Sequence, residues 1–156
     1  MPKTDYELLV KQADSLIRGV PHFYANLSNI SALIYSSLDD INWAGFYLLE
    51  GDRLILGPFQ GNVACVEIPV GKGVCGTAVA QNSTQIVPDV HLFPGHIACD
   101  SASRSEAVIP IRRNGKAIAV LDIDSPVLSR FTQDDMRGLE KLASVLEELI
   151  FCQYNK

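Results

Sequence analysis

The sequence feature that most constrains the fold is an Asn-Gly pair between two β-rich runs. Asn114-Gly115 separates Glu106–Arg112 from Lys116–Ile123, and Asn-Gly favours the two-residue turn of an antiparallel hairpin. Pro110 lies inside the first run, and a strand tolerates proline at a sheet edge or at a bulge. The second half of the chain is therefore predicted to contain a tight hairpin with one edge or bulged strand.

The rest of the chain changes from helical to extended periodicity and back. Thr4 and Glu7 form a capping-box pattern before an apolar helical stripe, and Thr132 is a typical N-cap for a long last helix. Further strands are predicted at Asn42–Leu49, Arg53–Phe59, Cys65–Val70 and Gln85–Pro88, with a second helix through about Leu38 and a short helix at Val74–Gln81. Because helices lie at both ends of mostly hairpin-linked strands, we predict one α+β domain over residues 1–156. It should have an antiparallel sheet of about six strands, with the N- and C-terminal helices grouped on one face.

The charge balance limits the partners. The chain carries 13 Lys+Arg against 18 Asp+Glu, a formal net charge of −5, with no basic run. Neither nucleic acid nor an anionic membrane is therefore a predicted partner. The apolar runs fall short of the roughly 20 residues that span a bilayer, and the N-terminal residues lack the apolar core of a secretion signal. We expect a cytoplasmic protein with reduced thiols.

Three of the four cysteines lie close together in the sequence. Cys65, Cys75 and Cys99 fall within 35 residues, and Cys99 lies in Asp89–Ser105, an irregular stretch of a length that is usually functional. Four interpretations are open: inert buried thiols, a zinc site completed by a nearby histidine, a thiol nucleophile with His96 as its base, and a redox pair in which one thiolate attacks and a second resolves it as a disulfide. The spacing of the cysteines does not separate redox catalysis from inert packing.

Acidic residues on the predicted hairpin indicate a polar site. Asp122 and Asp124 are two residues apart on a strand, so their side chains leave the same face, while Leu121 and Ile123 leave the other. Glu106 begins the partner strand and can reach the same region. Two acids in an apolar strand are unfavourable if they are buried without a partner. The alternative is that this face is exposed to water.

A glycine-rich segment follows the third predicted strand. Gly71–Gly76 matches the G-x-G-x-x-G pattern of dinucleotide sites. The context argues against such a site, because helices precede the first strand, the strands form hairpins, and no acidic residue follows about 20 positions later. We predict instead that these glycines turn the chain tightly beneath a pocket.

Two aromatic residues share one face of the first predicted strand. Trp43 and Tyr47 are four residues apart, so both side chains leave the same side of the sheet. Trp43 is the only tryptophan, and a single tryptophan is more often part of a core than of a ligand site.

Several segments together resemble one known family, the free methionine-R-sulfoxide reductases, which are single GAF domains. The resemblance runs in order through almost the whole chain and includes three cysteines and three acids at the family's spacing. It implies a GAF-like fold of the α+β class. The segments are Asn42–Tyr47, Gly57–Gly61, Ala64-Cys65, Gly73–Gly76, His96–Asp100, Ser105-Glu106 and Leu121–Ser125.

The resemblance implies roles for the cysteines. Cys99 is the expected nucleophile, Cys65 the main resolving thiol, and Cys75 an accessory thiol in recycling. A Cys99 thiolate attacks the sulfoxide sulfur, the resulting sulfenic acid forms a disulfide with Cys65, and thioredoxin is the implied reductant. Cys152, placed by the sequence in the C-terminal helix, is outside the family's set and is taken as structural. No cofactor and no metal are implied.

The resemblance also implies a substrate site. Glu106, Asp122 and Asp124 are jointly expected to recognise the sulfoxide oxygen and the substrate's amine, with Glu106 also among the catalytic residues. Clustered carboxylates can keep one member protonated as an acid. Trp43 and Tyr47 are expected to line the pocket around the methyl-sulfinyl group.

Two further expectations concern assembly and an alternative function. The family suggests a homodimer, for which the terminal helices offer an interface. The main alternative is a GAF module that binds a small ligand for signalling without chemistry, and a zinc-stabilised interaction domain is a third possibility. A reductase should form one Cys65–Cys99 disulfide on oxidation, whereas a sensory module needs no particular thiol pairing.

Overall fold

The chain begins with two helices and closes with a long one, and the strands and a short helix lie between them. The computed structural model describes residues 3–97, 99 and 101–154. The helices are α1 (Tyr6–Ile17), α2 (Phe23–Ser37), α3 (Gly73–Gln81) and α4 (Gln133–Leu149), with short 3-10 helices at Val90–Leu92 and Phe151–Gln153. The strands are β1 (Trp43–Glu50), β2 (Arg53–Gly61), β3 (Glu67–Pro69), β4 (Gln85–Val87), β5 (Ser105–Arg113) and β6 (Lys116–Ser125). Within the described ranges, no helix is both long enough and apolar enough to cross a membrane.

All six strands pair antiparallel in one sheet, in the order β3-β2-β1-β6-β5-β4. The predicted hairpins β1–β2 and β5–β6 meet through the central β1–β6 pair. Asn114 and Gly115 have φ values of 54° and 79°, as the tight turn favoured by Asn-Gly requires. The predicted six-stranded antiparallel sheet is confirmed.

The N- and C-terminal helices cover one face of this sheet. α1, α2 and α4 pack on alternate residues of the central strands, among them Phe46 of β1 and both Leu121 and Ile123 of β6. Because successive side chains of a strand alternate between faces, the neighbours of these residues project to the opposite face, where α3 packs. The predicted grouping of the terminal helices on one face is confirmed.

Three predictions at the ends of elements are wrong. The N-cap of α1 is Asp5, whose carboxylate accepts a 3.0 Å hydrogen bond from the Leu8 backbone N–H. Aspartate caps a helix at least as well as threonine, and it replaces the predicted Thr4–Glu7 capping box. β3 is shorter than predicted, which leaves Cys65 in the preceding loop. Cys152 lies in the 3-10 helix after α4 and not in α4 itself.

Two other local predictions are confirmed. Thr132 is the N-cap of α4 and forms a capping box with Asp135. Pro110 lies on a part of β5 that β4 no longer reaches, and a bulge follows it between Ile111 and Arg112. The proline therefore removes no hydrogen bond from the β4–β5 ladder.

Candidate active site

A disulfide joins two irregular segments on the α3 side of the sheet. Cys65 lies in the loop between β2 and β3, Cys99 lies in the stretch between β4 and β5, and their Cα atoms are 5.5 Å apart. This separation is typical of disulfides. Both residues are half-buried. The pair is the one that the family resemblance implied.

The third cysteine lies beneath this region as a free thiol. Cys75 is on α3, is 3% exposed, and its Sγ lies 4.0 Å from Glu106 Oε2. Burial raises the pKa of the Cys75 thiol well above its usual value, and the negative charges of nearby Asp122 and Glu106 raise it further. Cys75 is therefore a neutral thiol in this conformation.

The glycine-rich segment before Cys75 is a turn, as predicted. Gly73 begins α3 with a φ of +61°, which favours glycine. A Cβ atom at Gly76 would lie 2.5 Å from the carbonyl oxygen of Pro69, so the helix approaches the preceding strand too closely for a side chain. The glycines thus bring Cys75 down onto the sheet.

The three predicted acids lie on the sheet face below α3. Glu106 of β5 is paired with Asp124 of β6, and Asp122 is opposite Val108 of β5 and Gly45 of β1. Glu106 is 7% exposed and Asp122 is 5% exposed, while Asp124 is half-buried. The alternative of a face open to water is therefore wrong for Glu106 and Asp122.

The electrostatics of this group favour the protonated form of one of the acids. Burial raises the pKa of Glu106 well above its usual value, and the charges of Asp122 and Asp124 add to the rise. Burial also raises the pKa of Asp122, whereas hydrogen bonds donated by Glu106 and Cys75 lower this pKa. Glu106 is therefore the protonated member and Asp122 the acceptor. The buried Oδ1 of Asp122 has no hydrogen-bond partner, so it can accept one from a bound ligand.

The two predicted aromatic residues form a wall beside the acids. The rings of Trp43 and Tyr47 stack with centroids 6.0 Å apart, and Trp43 also stacks on Phe59 of β2 at 5.0 Å. Gly45 lies between them on β1, and a Cβ atom there would be 2.3 Å from the Cβ of Phe59. Only glycine therefore lets Phe59 of β2 pack this closely over β1 opposite Asp122.

The same aromatic residues hold the loop that carries Cys65. The Trp43 Nε1–H donates a 3.1 Å hydrogen bond to the carbonyl of Asn62, and the Tyr47 hydroxyl donates one of 2.8 Å to the carbonyl of Cys65. Both rings are 2% exposed. Strand periodicity does not predict this second role, because it does not encode the path of the loop.

This geometry bears on the other two predicted roles of the cysteines, zinc binding and nucleophilic attack with a histidine base. In the disulfide, Cys65 and Cys99 have no thiolate to offer to zinc or to a substrate carbonyl. His91 and His96 lie beside each other, with ring centroids 6.4 Å apart, and burial together with His91 lowers the pKa of His96. Among the described residues, the one group with metal-ligand spacing is Cys75, Glu106 and Asp122, whose ligand atoms lie within 4.8 Å of one another. It contains no histidine.

One cavity lies away from the cysteines. It has a volume of about 810 Å³ and is lined by charged side chains near the N-terminal ends of α1 and α4, including Lys3, Asp39 and Arg137. None of the site residues predicted from the sequence lines it. The site residues predicted from the sequence lie instead between the sheet, α3 and the disulfide.

The order of the strands and the helices on the two faces of the sheet are those of a GAF domain. The family model of the GAF domain matches residues 25–150.

Relatives and solved structures identify the family within the GAF domains. The chain is 56% identical over 151 residues to the free methionine-R-sulfoxide reductase of Escherichia coli K12, covering 96% of this chain and 92% of that protein. It is 51% identical over 150 residues to the Saccharomyces cerevisiae protein of the same name, covering 91% and 83%. The reduced form of fRMsr of Staphylococcus aureus superposes with a TM-score of 0.92 at 57% identity, covering 95% of this chain and 96% of that chain. Free methionine-R-sulfoxide reductase from Neisseria meningitidis, in complex with its substrate, superposes with a TM-score of 0.90 at 42% identity, covering 94% and 88%. The chain belongs to the free methionine-R-sulfoxide reductases of the GAF-domain family.

Proposed function

We propose that this chain reduces free methionine-(R)-sulfoxide to methionine by thiol chemistry, with Cys99 as nucleophile and Cys65 as resolving thiol. The observation that carries the proposal is the Cys65–Cys99 disulfide on the sheet face that also holds the buried acids Glu106 and Asp122. A sensory GAF module needs neither a specific disulfide nor a buried proton donor.

In the first step the Cys99 thiolate attacks the sulfur of the sulfoxide. The oxygen must gain a proton as the sulfur–oxygen bond weakens, and Glu106 supplies it because burial and the neighbouring acids raise its pKa. The oxygen passes to Cys99 as a sulfenic acid, and methionine leaves. The substrate sulfur gains two electrons and the Cys99 sulfur loses two.

The two aspartates recognise the free amino acid. Asp122 presents a buried Oδ1 without a hydrogen-bond partner, and Asp124 lies beside it on the same face. Both carboxylates attract an ammonium group, which methionine sulfoxide inside a polypeptide lacks. The rings of Trp43 and Tyr47 form the wall that selects the epimer by shape.

In the second step Cys65 attacks the Cys99 sulfenic acid and water leaves. Loop hydrogen bonds to Trp43 and Tyr47 hold Cys65 within bridging distance. Thioredoxin then returns the disulfide to two thiols. Cys75 acts as an accessory thiol in recycling. This role requires another conformation, in which the Cys75 thiol loses its proton and comes within bonding distance of Cys99. The proposal includes a cytoplasmic location and a homodimer.

The decisive assay couples thioredoxin, its reductase and NADPH to each epimer of free methionine sulfoxide. We expect NADPH oxidation and methionine release with the R epimer, none with the S epimer, and none with Cys99→Ser. Multiple turnover by Cys99→Ser, or no methionine from either epimer with the native chain, would overturn the proposal.

A further inference from the structure

The most exposed apolar side chains lie on the two segments that the disulfide joins. Among the large hydrophobic residues that the structure describes, the three most exposed are Val63 (87%), Leu92 (80%) and Val66 (64%), followed by Tyr24 (55%). Val63 and Val66 lie on the loop that carries Cys65, and Leu92 lies on the segment that carries Cys99. All three belong to the two segments that the disulfide joins.

The loop that carries the valines is held by its backbone. Trp43 and Tyr47 donate hydrogen bonds to the carbonyls of Asn62 and Cys65, and the Leu56 N–H donates one of 2.9 Å to the carbonyl of Val66. These bonds fix the backbone while the two valine side chains face water. Apolar area left exposed to water is unfavourable, and a partner that covers it would remove that cost.

We propose that Val63, Val66 and Leu92, which we call the docking surface, receive a protein dithiol reductant that attacks Cys65. The inference rests on the proposed function, because a disulfide formed at every turnover needs an external source of two electrons. The structure holds the oxidised form, so the surface it exposes is the one that the reductant meets.

The choice of Cys65 follows from position and from leaving-group chemistry. The valines flank Cys65 within two residues in the chain. In thiol–disulfide exchange the thiol of lower pKa leaves faster, and the nucleophile Cys99 must react as a thiolate. Attack at Cys65 therefore releases Cys99 ready for the next substrate.

The disulfide is reduced in two successive displacements at sulfur. One partner thiolate bonds to the Cys65 sulfur, and the electron pair of the broken S–S bond goes to Cys99. The second partner thiolate attacks the partner sulfur in the mixed disulfide and releases Cys65. The partner ends as a disulfide, having given up two electrons, and the protons of its two thiols are taken up by the two cysteines or by solvent.

The test compares two reductants on matched variants. Val63→Ser/Val66→Ser removes apolar area from the docking surface, and Tyr24→Ser removes an exposed apolar side chain from α2, on the other face of the sheet. With thioredoxin as the probe, we expect the KM for thioredoxin to rise about tenfold in the valine variant, as for truncation of a binding hot spot. We expect no such rise in Tyr24→Ser. With dithiothreitol, a small dithiol that needs no docking surface, all three proteins should turn over alike.

A trapping experiment identifies the sulfur that is attacked. Oxidised protein mixed with a thioredoxin whose second active-site cysteine is serine should give a mixed disulfide that peptide mapping places at Cys65. An unchanged KM for thioredoxin, or a mixed disulfide at Cys99, would overturn the proposal. Loss of a dimer in the valine variant with an unchanged KM would assign the surface to a second copy of the chain. If the native chain forms no methionine even with dithiothreitol, the proposed function itself fails.

Discussion

The Tyr47 hydroxyl donates a 2.8 Å hydrogen bond to the main-chain carbonyl of Cys65. In the proposed mechanism, one residue thus contributes an aromatic face to the substrate wall and a hydrogen bond to the loop of the resolving cysteine. Trp43 makes the equivalent bond to Asn62 at the start of that loop. The proposed mechanism therefore links the geometry of its first and second chemical steps through the same two side chains of β1.

Tyr47→Phe should slow disulfide formation more than methionine formation. The ring remains, but the lost hydrogen bond contributes about 1 kcal/mol, which corresponds to a roughly fivefold loss of the population in which Cys65 is held near Cys99. Rapid-quench measurement of methionine and of free thiols separates the two steps. Tyr35→Phe, which changes a tyrosine on α2, is the control. Equal slowing of both steps would argue that the hydroxyl acts on substrate binding instead.

Cys65→Ser should release about one methionine per site rapidly and then recycle slowly, because attack by Cys99 precedes disulfide formation. If Cys75 provides the slow recycling, Cys65→Ser/Cys75→Ser should stop after the first turnover. Cys65→Ser/Cys152→Ser should behave like Cys65→Ser, since Cys152 is exposed beyond α4. The readout is methionine per site against time. Identical slow phases in both double variants would remove Cys75 from the recycling route.

The reaction should slow as pH rises through the pKa of Glu106. Burial raises this pKa in the folded protein, so the carboxyl is a proton donor below it and loses that ability above it. Glu106→Gln keeps the shape but donates no acidic proton, and we expect kcat to fall by about 10²-fold or more. Its pH profile should also lack the alkaline limb of the native enzyme. An unchanged limb in Glu106→Gln would assign the titration to another group.

The same substitution should stabilise the fold at neutral and alkaline pH. Because the pKa of Glu106 is raised on folding, the native state binds more protons than the unfolded state between the two pKa values, so stability falls as pH rises through that window. Glu106→Gln removes this penalty, and it should have no such benefit below the unfolded pKa of about 4.3. Urea unfolding at acidic and neutral pH measures the difference. Glu148→Gln, on the exposed side of α4, should show no comparable pH-dependent gain.

Gly138→Ala should destabilise the protein, although alanine is the better helix former by about 1 kcal/mol. A Cβ atom at Gly138 would lie 2.1 Å from Cγ of Tyr6, whose hydroxyl donates a 2.6 Å hydrogen bond to Asp135. Overpacking of this kind costs about 1–3 kcal/mol, and each kcal/mol lowers Tm by about 2–4 °C in a domain of this size. In a Tyr6→Ala background the same change should become neutral or stabilising. A destabilisation of equal size in both backgrounds would contradict the clash.

Much of the fold could be predicted because its signals are local. Asn114-Gly115 specified a turn through its own backbone preferences, and the alternation at Leu121, Asp122, Ile123 and Asp124 separated the helix-facing side of β6 from the acidic side. The errors were also local: Asp5 competes with Thr4 as N-cap, and a strand of three residues gives too little periodicity to locate its ends.

The sequence by itself determined the hairpins, the order of the elements, the face that each strand residue occupies and, through several motifs in register, the family. These depend on backbone preference and spacing along one stretch of chain. The tertiary structure decided which groups meet. It brought Cys65 and Cys99 within bridging distance, placed neutral Cys75 over Glu106, buried Asp122 with an unpartnered oxygen, and formed the hydrogen bond from Tyr47 to the Cys65 loop. Such relationships arise from contacts between distant segments and from the removal of water around them, and neither has a signature in local periodicity.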